Sequence, residues 1–135
     1  MFVIDVSVVG AWYFPDENHP LTETVLQRLS NDSATTPALF WFELRNALLV
    51  GERRGRISGT DTARILALVS GLPLVTDRDP NEAMIFQMAR AHKLTFYDAA
   101  YLELAQRKNA PIATLDSALV KAAKAEKVPL FGATK

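Results

Sequence analysis

Residues 1–8 read MFVIDVSV, a short apolar run broken by one carboxylate, Asp5. Phe2, Val3 and Ile4 show no polar alternation, which predicts a strand buried on both faces, as in the interior of a parallel sheet. An aspartate directly after such a strand lies where open α/β sheets bind ligands, beyond the carboxyl ends of the strands. Its chemistry then depends on which other acids arrive beside it.

Outward from this stretch, strand and helix signals alternate. Residues 34–36, 72–75, 111–115 and 128–131 predict four further short strands. Helices are predicted over residues 8–13, from Pro20, over residues 38–54 and from Ser58, where Ser58-x-x-Asp61 resembles a capping box. Asp79 is expected to cap the next helix, with Pro80 in its first turn and His92 near its end. Thr95-x-x-Asp98 opens another, reaching Lys108, and Asp116 opens the last. Such alternation implies α/β architecture with a parallel sheet covered on both faces. No internal repeat or linker interrupts it, and 135 residues suit one domain. Residues 38–54 are apolar on two faces, which asks for two partners, such as the sheet and a second subunit.

Apolar residues make up 49% of the chain and charged residues 22%, which excludes a disordered polyelectrolyte. Fifteen basic residues balance fifteen acidic ones, so the chain lacks the overall basic signature of a nucleic-acid binder and would need a local basic rim instead. With no cysteine there are no disulfides or thiolate metal sites, in keeping with a reducing cytoplasm. Asp5 interrupts the N-terminal apolar run and no basic segment precedes it, so neither a signal peptide nor a membrane span is expected.

Four acids stand out. Glu43 shares a helical stripe with Leu39, Phe42 and Ala47, where a charge is costly unless paired or metal-bound. Arg45 cannot serve it well, because residues two apart on a helix do not face each other. Asp98 and Asp116 each admit a capping role as well as a functional one. Ser7 could brace the Asp5 carboxylate or cap a helix. If Asp5, Glu43, Asp98 and Asp116 converge, their charges conflict unless some protonate or a divalent cation binds. Oxygen donors without cysteine favour Mg²⁺ or Mn²⁺ over zinc, and such a site suits phosphodiester hydrolysis.

The segments VIDVSV (3–8), FELRNAL (42–48), TFYDAAYLELA (95–105) and TLDSAL (114–119) make the chain resemble the PIN-domain ribonucleases, specifically the VapC-like toxins of bacterial toxin–antitoxin pairs. The resemblance covers nearly the whole chain through the order and spacing of these short motifs. It implies a single PIN-like domain over residues 1–135, with a five-stranded parallel sheet in the order 3-2-1-4-5. It also implies an Mg²⁺- or Mn²⁺-dependent endoribonuclease in which Asp5, Glu43, Asp98 and Asp116 are the catalytic and metal-binding acids. Ser7 and Thr114 would support them, Asn46 would brace the third helix, and Tyr101 would be structural. RNA as substrate, a cognate antitoxin and a homodimer follow from the same likeness, in a cytoplasmic setting without a membrane.

Other charged groups read differently. Asp77 and Asp79 follow the third strand, at a sheet edge away from the site, and Asp16 and Glu17 read as loop residues. His19 and His92 read as surface or helix-end residues. Arg53, Arg54 and Arg56 form a solvated helix end that could also meet phosphates. A phosphoacceptor domain would want paired acids after the first strand, and a dehalogenase-like phosphatase an aspartate where Ser7 stands. The remaining alternative is a PIN-like module without catalysis that binds protein or RNA.

Overall fold

The computed structural model describes residues 1–14 and 19–132; Pro15, Asp16 and Glu17, including the expected loop acids, lie outside the described residues. β1 (Phe2–Ile4) is buried at every position, as its unbroken apolar run requires. It pairs in parallel with β2 (Ala34–Pro37) on one side and with β4 (Ile112–Ala113) on the other, Val3 facing Thr35 and Ile112. β3 (Leu74–Asp77) adds to β2 and forms an edge, giving the order β3-β2-β1-β4. Both central strands, β1 and β2, are buried throughout, so both faces of the sheet are covered.

The fifth expected strand is reduced to a single parallel bridge between Ile112 and Leu130. Pro129 has no N–H to add to a ladder, although its carbonyl accepts from Ile112 N at 2.9 Å. Val128 N donates at 2.8 Å to Ala123 O, closing the last helix, and Gly132 turns the chain away at φ 78°. Among the described residues the sheet therefore has four strands in the order 3-2-1-4, with a one-residue contact where the fifth was predicted. β3 begins two residues later than expected for a related reason: Leu72 N is held by Val69 O at the end of the preceding helix, at 3.1 Å.

Seven helices connect and cover these strands among the described residues: α1 (Val6–Tyr13), α2 (Pro20–Arg28), α3 (Leu39–Arg53), α4 (Gly59–Ser70), α5 (Glu82–His92), α6 (Phe96–Lys108) and α7 (Ser117–Ala125). Ser58 and Asp61 form the predicted capping box of α4, and His19 caps α2. Asn81, not Asp79, caps α5, accepting from Met84 N at 3.1 Å. The two residue types cap equally well. None of these helices is long and apolar enough to cross a membrane.

α3 buries Phe40, Leu44 and Leu48, while Phe42, on its other apolar face, is 77% exposed. α6 is the central helix: residues 99–105 are buried in succession, and it packs against β1, β2 and β4. A helix surrounded on all sides must satisfy any polar group it carries. Glu103, 2% exposed, does so through Arg107 one turn on, with Nε 2.6 Å from Oε2. The same guanidinium grips both oxygens of Asp77 at 3.1 and 2.6 Å, which ties the edge strand β3 to α6 and holds the Asp77 carboxyl below its usual range.

Removing Arg107 strands a buried carboxylate. Arg107→Ala is expected to lower unfolding stability by about 3 kcal/mol, seen as a shift in the urea midpoint, and Glu103→Leu with Arg107→Leu to recover part of that loss. An unchanged midpoint in the single variant would contradict this account of the clamp.

Candidate acidic site

The first acid is positioned by the sheet itself. Asp5 follows β1 and its N–H bonds to Ala113 O at 3.1 Å, so the carboxyl ends of β1 and β4 lie side by side, as the crevice argument requires. Its side chain caps α1: Oδ1 accepts Ser7 N–H at 3.0 Å. Ser7 Oγ donates to Oδ2 at 3.0 Å, and Thr114 Oγ1 donates to the same oxygen in a short hydrogen bond. Those two hydroxyls are fixed in turn by backbone donors from the loop after β4, Leu115 N to Ser7 Oγ at 2.9 Å and Asp116 N to Thr114 Oγ1 at 3.0 Å. Ser7 thus braces the carboxylate, and Asp5 takes the cap that Ser7 was a candidate for.

Asp116 takes the capping role of its sequence reading. Its Oδ1 caps α7, accepting from Ala118 N at 2.9 Å and Leu119 N at 3.2 Å, while its charge falls on Asp5 and on Asp98. Asp98 stands in the first turn of α6, its N–H held by the Thr95 hydroxyl at 3.1 Å. Glu43 projects from α3, and Tyr101 donates its hydroxyl to Oε1 at 2.6 Å. Arg45 instead bonds Trp41 O at 3.0 Å, so it does not serve Glu43.

The electrostatics link the four acids. Burial pushes the Asp5 carboxyl above its usual range, the Thr114 and Ser7 bonds oppose that, and the Asp116 charge adds to it. Glu43 is raised by burial and by the charges of Asp5 and Asp98, against the Tyr101 bond. Asp98 is raised by burial, then by Asp116 and Asp5. The Tyr101 phenol is pushed well above its normal range by burial and by Glu43, so it is a hydrogen-bond donor at every ordinary pH. Asp5, Glu43 and Asp98 therefore each lie close enough to another acid for its charge to oppose their ionisation. They are not in mutual contact: among the described residues no group of three or more histidine or acidic side chains is drawn together tightly enough to hold a metal ion.

Tyr101 reads as structural in the sequence, and its burial agrees with that, while its hydroxyl also bonds Glu43. Its spacing carried the signal, because Tyr101 lies three residues after Asp98 and so shares its face of α6. Asn46, by contrast, is exposed on α3. The histidines lie outside the site, His19 at the start of α2 and His92 paired with Glu126 at 2.6 Å.

Comparison with known proteins bears on the fold and the family. Ribonuclease VapC3 of Pyrobaculum aerophilum is 29% identical over 130 residues, which span 94% of either chain. The crystal structure of PAE2754 from the same organism superposes with a TM-score of 0.73 at 22% identity, covering 98% of this chain and 87% of that one. A toxin–antitoxin complex from Klebsiella pneumoniae gives a TM-score of 0.61 at 14% identity, over 87% of this chain and 88% of that one. At those identities the two structures speak for the fold. The PIN domain family matches residues 2–125, the span that carries β1, all four acids and the four-stranded sheet. By that match, the chain belongs to the PIN domain family.

Proposed function

We propose that this protein is a divalent-metal-dependent endoribonuclease, the toxin of a toxin–antitoxin pair, with Asp5, Glu43, Asp98 and Asp116 as its catalytic and metal-binding acids and Ser7 and Thr114 supporting them. The observation that carries the reading is the mutual opposition of the acids: Asp5, Glu43 and Asp98 are each pushed toward protonation by burial and by one another's charges or that of Asp116. A folded chain gains nothing from that arrangement unless a cation completes it. Family membership and the ribonuclease name of the VapC3 relative point to RNA. The Klebsiella neighbour suggests an antitoxin as partner. A homodimer in the cytoplasm is part of the same proposal, with the exposed second apolar face of α3 as a reason for a second subunit.

The donor set fits Mg²⁺ or Mn²⁺. All donors are carboxylate oxygens, and Mg²⁺ takes one or two carboxylates while keeping waters, so acids that share a field without closing on one point suit it. When bound, such an ion supplies a Lewis acid for the phosphoryl group and a nucleophile at neutral pH. The chain's own part is preorganisation. Ser7 and Thr114 hold the Asp5 oxygens in place, Tyr101 fixes Glu43 through Oε1, and the two α7 amides hold Asp116 through Oδ1.

Three measurements test this reading. In Mn²⁺, wild-type protein is expected to cut RNA, and Asp5→Asn and Glu43→Gln to lower kcat/KM by roughly a thousandfold, the scale of lost charge stabilisation at such sites; wild-type rates in both variants would leave the non-catalytic binding module as the better account. Tyr101→Phe is expected to weaken Mn²⁺ binding by about 10- to 100-fold in a metal titration, the usual cost of losing a group that orients a ligand.

The third concerns stability. Because the Asp98 carboxyl is raised on folding, its contribution is fully present below its unfolded pKa and is lost as pH rises through its folded value. Metal-free Asp98→Asn should therefore melt above the wild type at neutral pH, with the difference vanishing in acid. Mg²⁺ should reverse the order by stabilising only the wild type. A variant that melts lower throughout would refute the electrostatic picture.

A further inference from the structure

An acidic site must still attract a polyanion, and a chain of zero net charge can do so only locally. The cleft between the end of α5 and α7 offers the means. Its volume is about 430 Å³, and it is lined by His92 and Lys93 on one wall and by Ala118, Lys121 and Ala122 on the other. Both lysines are exposed, and among the described residues neither has an ion-pair partner. The acid beside the cleft, Glu126, is already engaged, bonded by His92 Nε2 at 2.6 Å and by Gln106 Nε2 at 3.3 Å.

Each wall belongs to a segment that also carries one of the site acids. Lys93 ends α5 at φ 55°, and two residues later Thr95 caps α6, which carries Asp98 in its first turn. Lys121 lies five residues beyond Asp116 on α7, roughly 7.5 Å along the helix axis. The charge of Asp116 acts on Asp98, so the starts of α6 and α7 lie near each other, with the lysines set back along the same segments. The alanines between them leave room for a sugar–phosphate backbone to lie close, and an ammonium group is a point charge that holds phosphate without reading sequence.

We propose that this cleft is the backbone subsite of the acidic site: Lys93 and Lys121 bind phosphodiesters of single-stranded RNA flanking the one that reaches the acids. The proposal rests on the ribonuclease reading above and adds the path of the substrate to it.

The test is the salt dependence of RNA affinity, measured by fluorescence anisotropy with a labelled single-stranded RNA, Ca²⁺ replacing Mg²⁺, between about 50 and 200 mM salt. Lys93→Asn keeps a residue that tolerates the left-handed conformation, and Lys121→Gln sits on an exposed helix surface. Together they should flatten the slope of log affinity against log salt by about 1.4, two contacts at about 0.7 each, equally for unrelated RNA sequences. In cleavage assays with Mn²⁺, KM should rise while kcat holds. Arg53→Gln with Arg54→Gln, at the end of α3, should leave the slope as it is.

An unchanged slope in the lysine variant of a protein that still cuts RNA overturns the subsite alone. A slope lost in the arginine variant instead sends the RNA over α3 and overturns it as well. A wild-type protein that neither binds nor cuts RNA removes the subsite and the ribonuclease reading together.

Discussion

The constraint on which the structure turns is the burial of Asp5. Its side chain stands at the end of the central strand with 6% of its surface exposed, where an unsatisfied carboxylate would cost several kcal/mol. The chain meets that cost with three hydrogen bonds, and two of them come from hydroxyls fixed by the loop after β4. The network from Leu115 N–H through Ser7, Asp5 and Thr114 to Asp116 N–H therefore closes the ends of β1 and β4 together. This explains how β4 can be two residues long and still hold its place beside β1. What the ladder lacks in backbone bonds, the side chains at its carboxyl end supply.

The same chain contains a second set of close acids, and the contrast is informative. Asp77 and Glu103 share Arg107, whose guanidinium binds both, and Asp77 is held below its usual range. That cluster is complete, and its purpose is to fasten an edge strand to the central helix. Around Asp5 the neighbouring charges that act are negative, and the directions are reversed. Among the described residues no arginine pairs with Asp5, Glu43, Asp98 or Asp116 as Arg107 does with Asp77 and Glu103. The difference separates a structural ion cluster from the site proposed to take an external cation.

Much of this was readable from residues because the signals are local. The buried strand Phe2–Ile4, the Ser58–Asp61 capping box and the acid after each of β1 and β4 depend on neighbours within a few positions. What escaped was of two kinds, local competition for backbone donors and a partner distant in sequence. Asn81 caps α5 where Asp79 was expected, and β3 starts late because Leu72 N bonds back to Val69 O at the end of α4. The fifth strand shrank to a bridge because its amides were absent at Pro129 or spent at Val128. Tyr101 and Glu43 are 58 residues apart, so no window of sequence could join them. The resemblance to PIN domains supplied the strand order and the identity of the acids as a set, which periodicity alone did not.

The central helix links these strands of reasoning. α6 carries Asp98 at its start, Tyr101 one turn on, and Glu103 and Arg107 further along, so one buried cylinder presents an acid and its neighbour's anchor at one end and a closed ion cluster at the other. Because residues 99–105 are buried on every side, α6 cannot rotate or slide to relieve the opposition among the acids without breaking the Arg107 clamp. The repulsion at the site is thus held in place by attraction at the far end of the same helix. Rigidity of that kind is what preorganised electrostatic catalysis needs, since groups fixed before the substrate arrives need no reorganisation when charge develops.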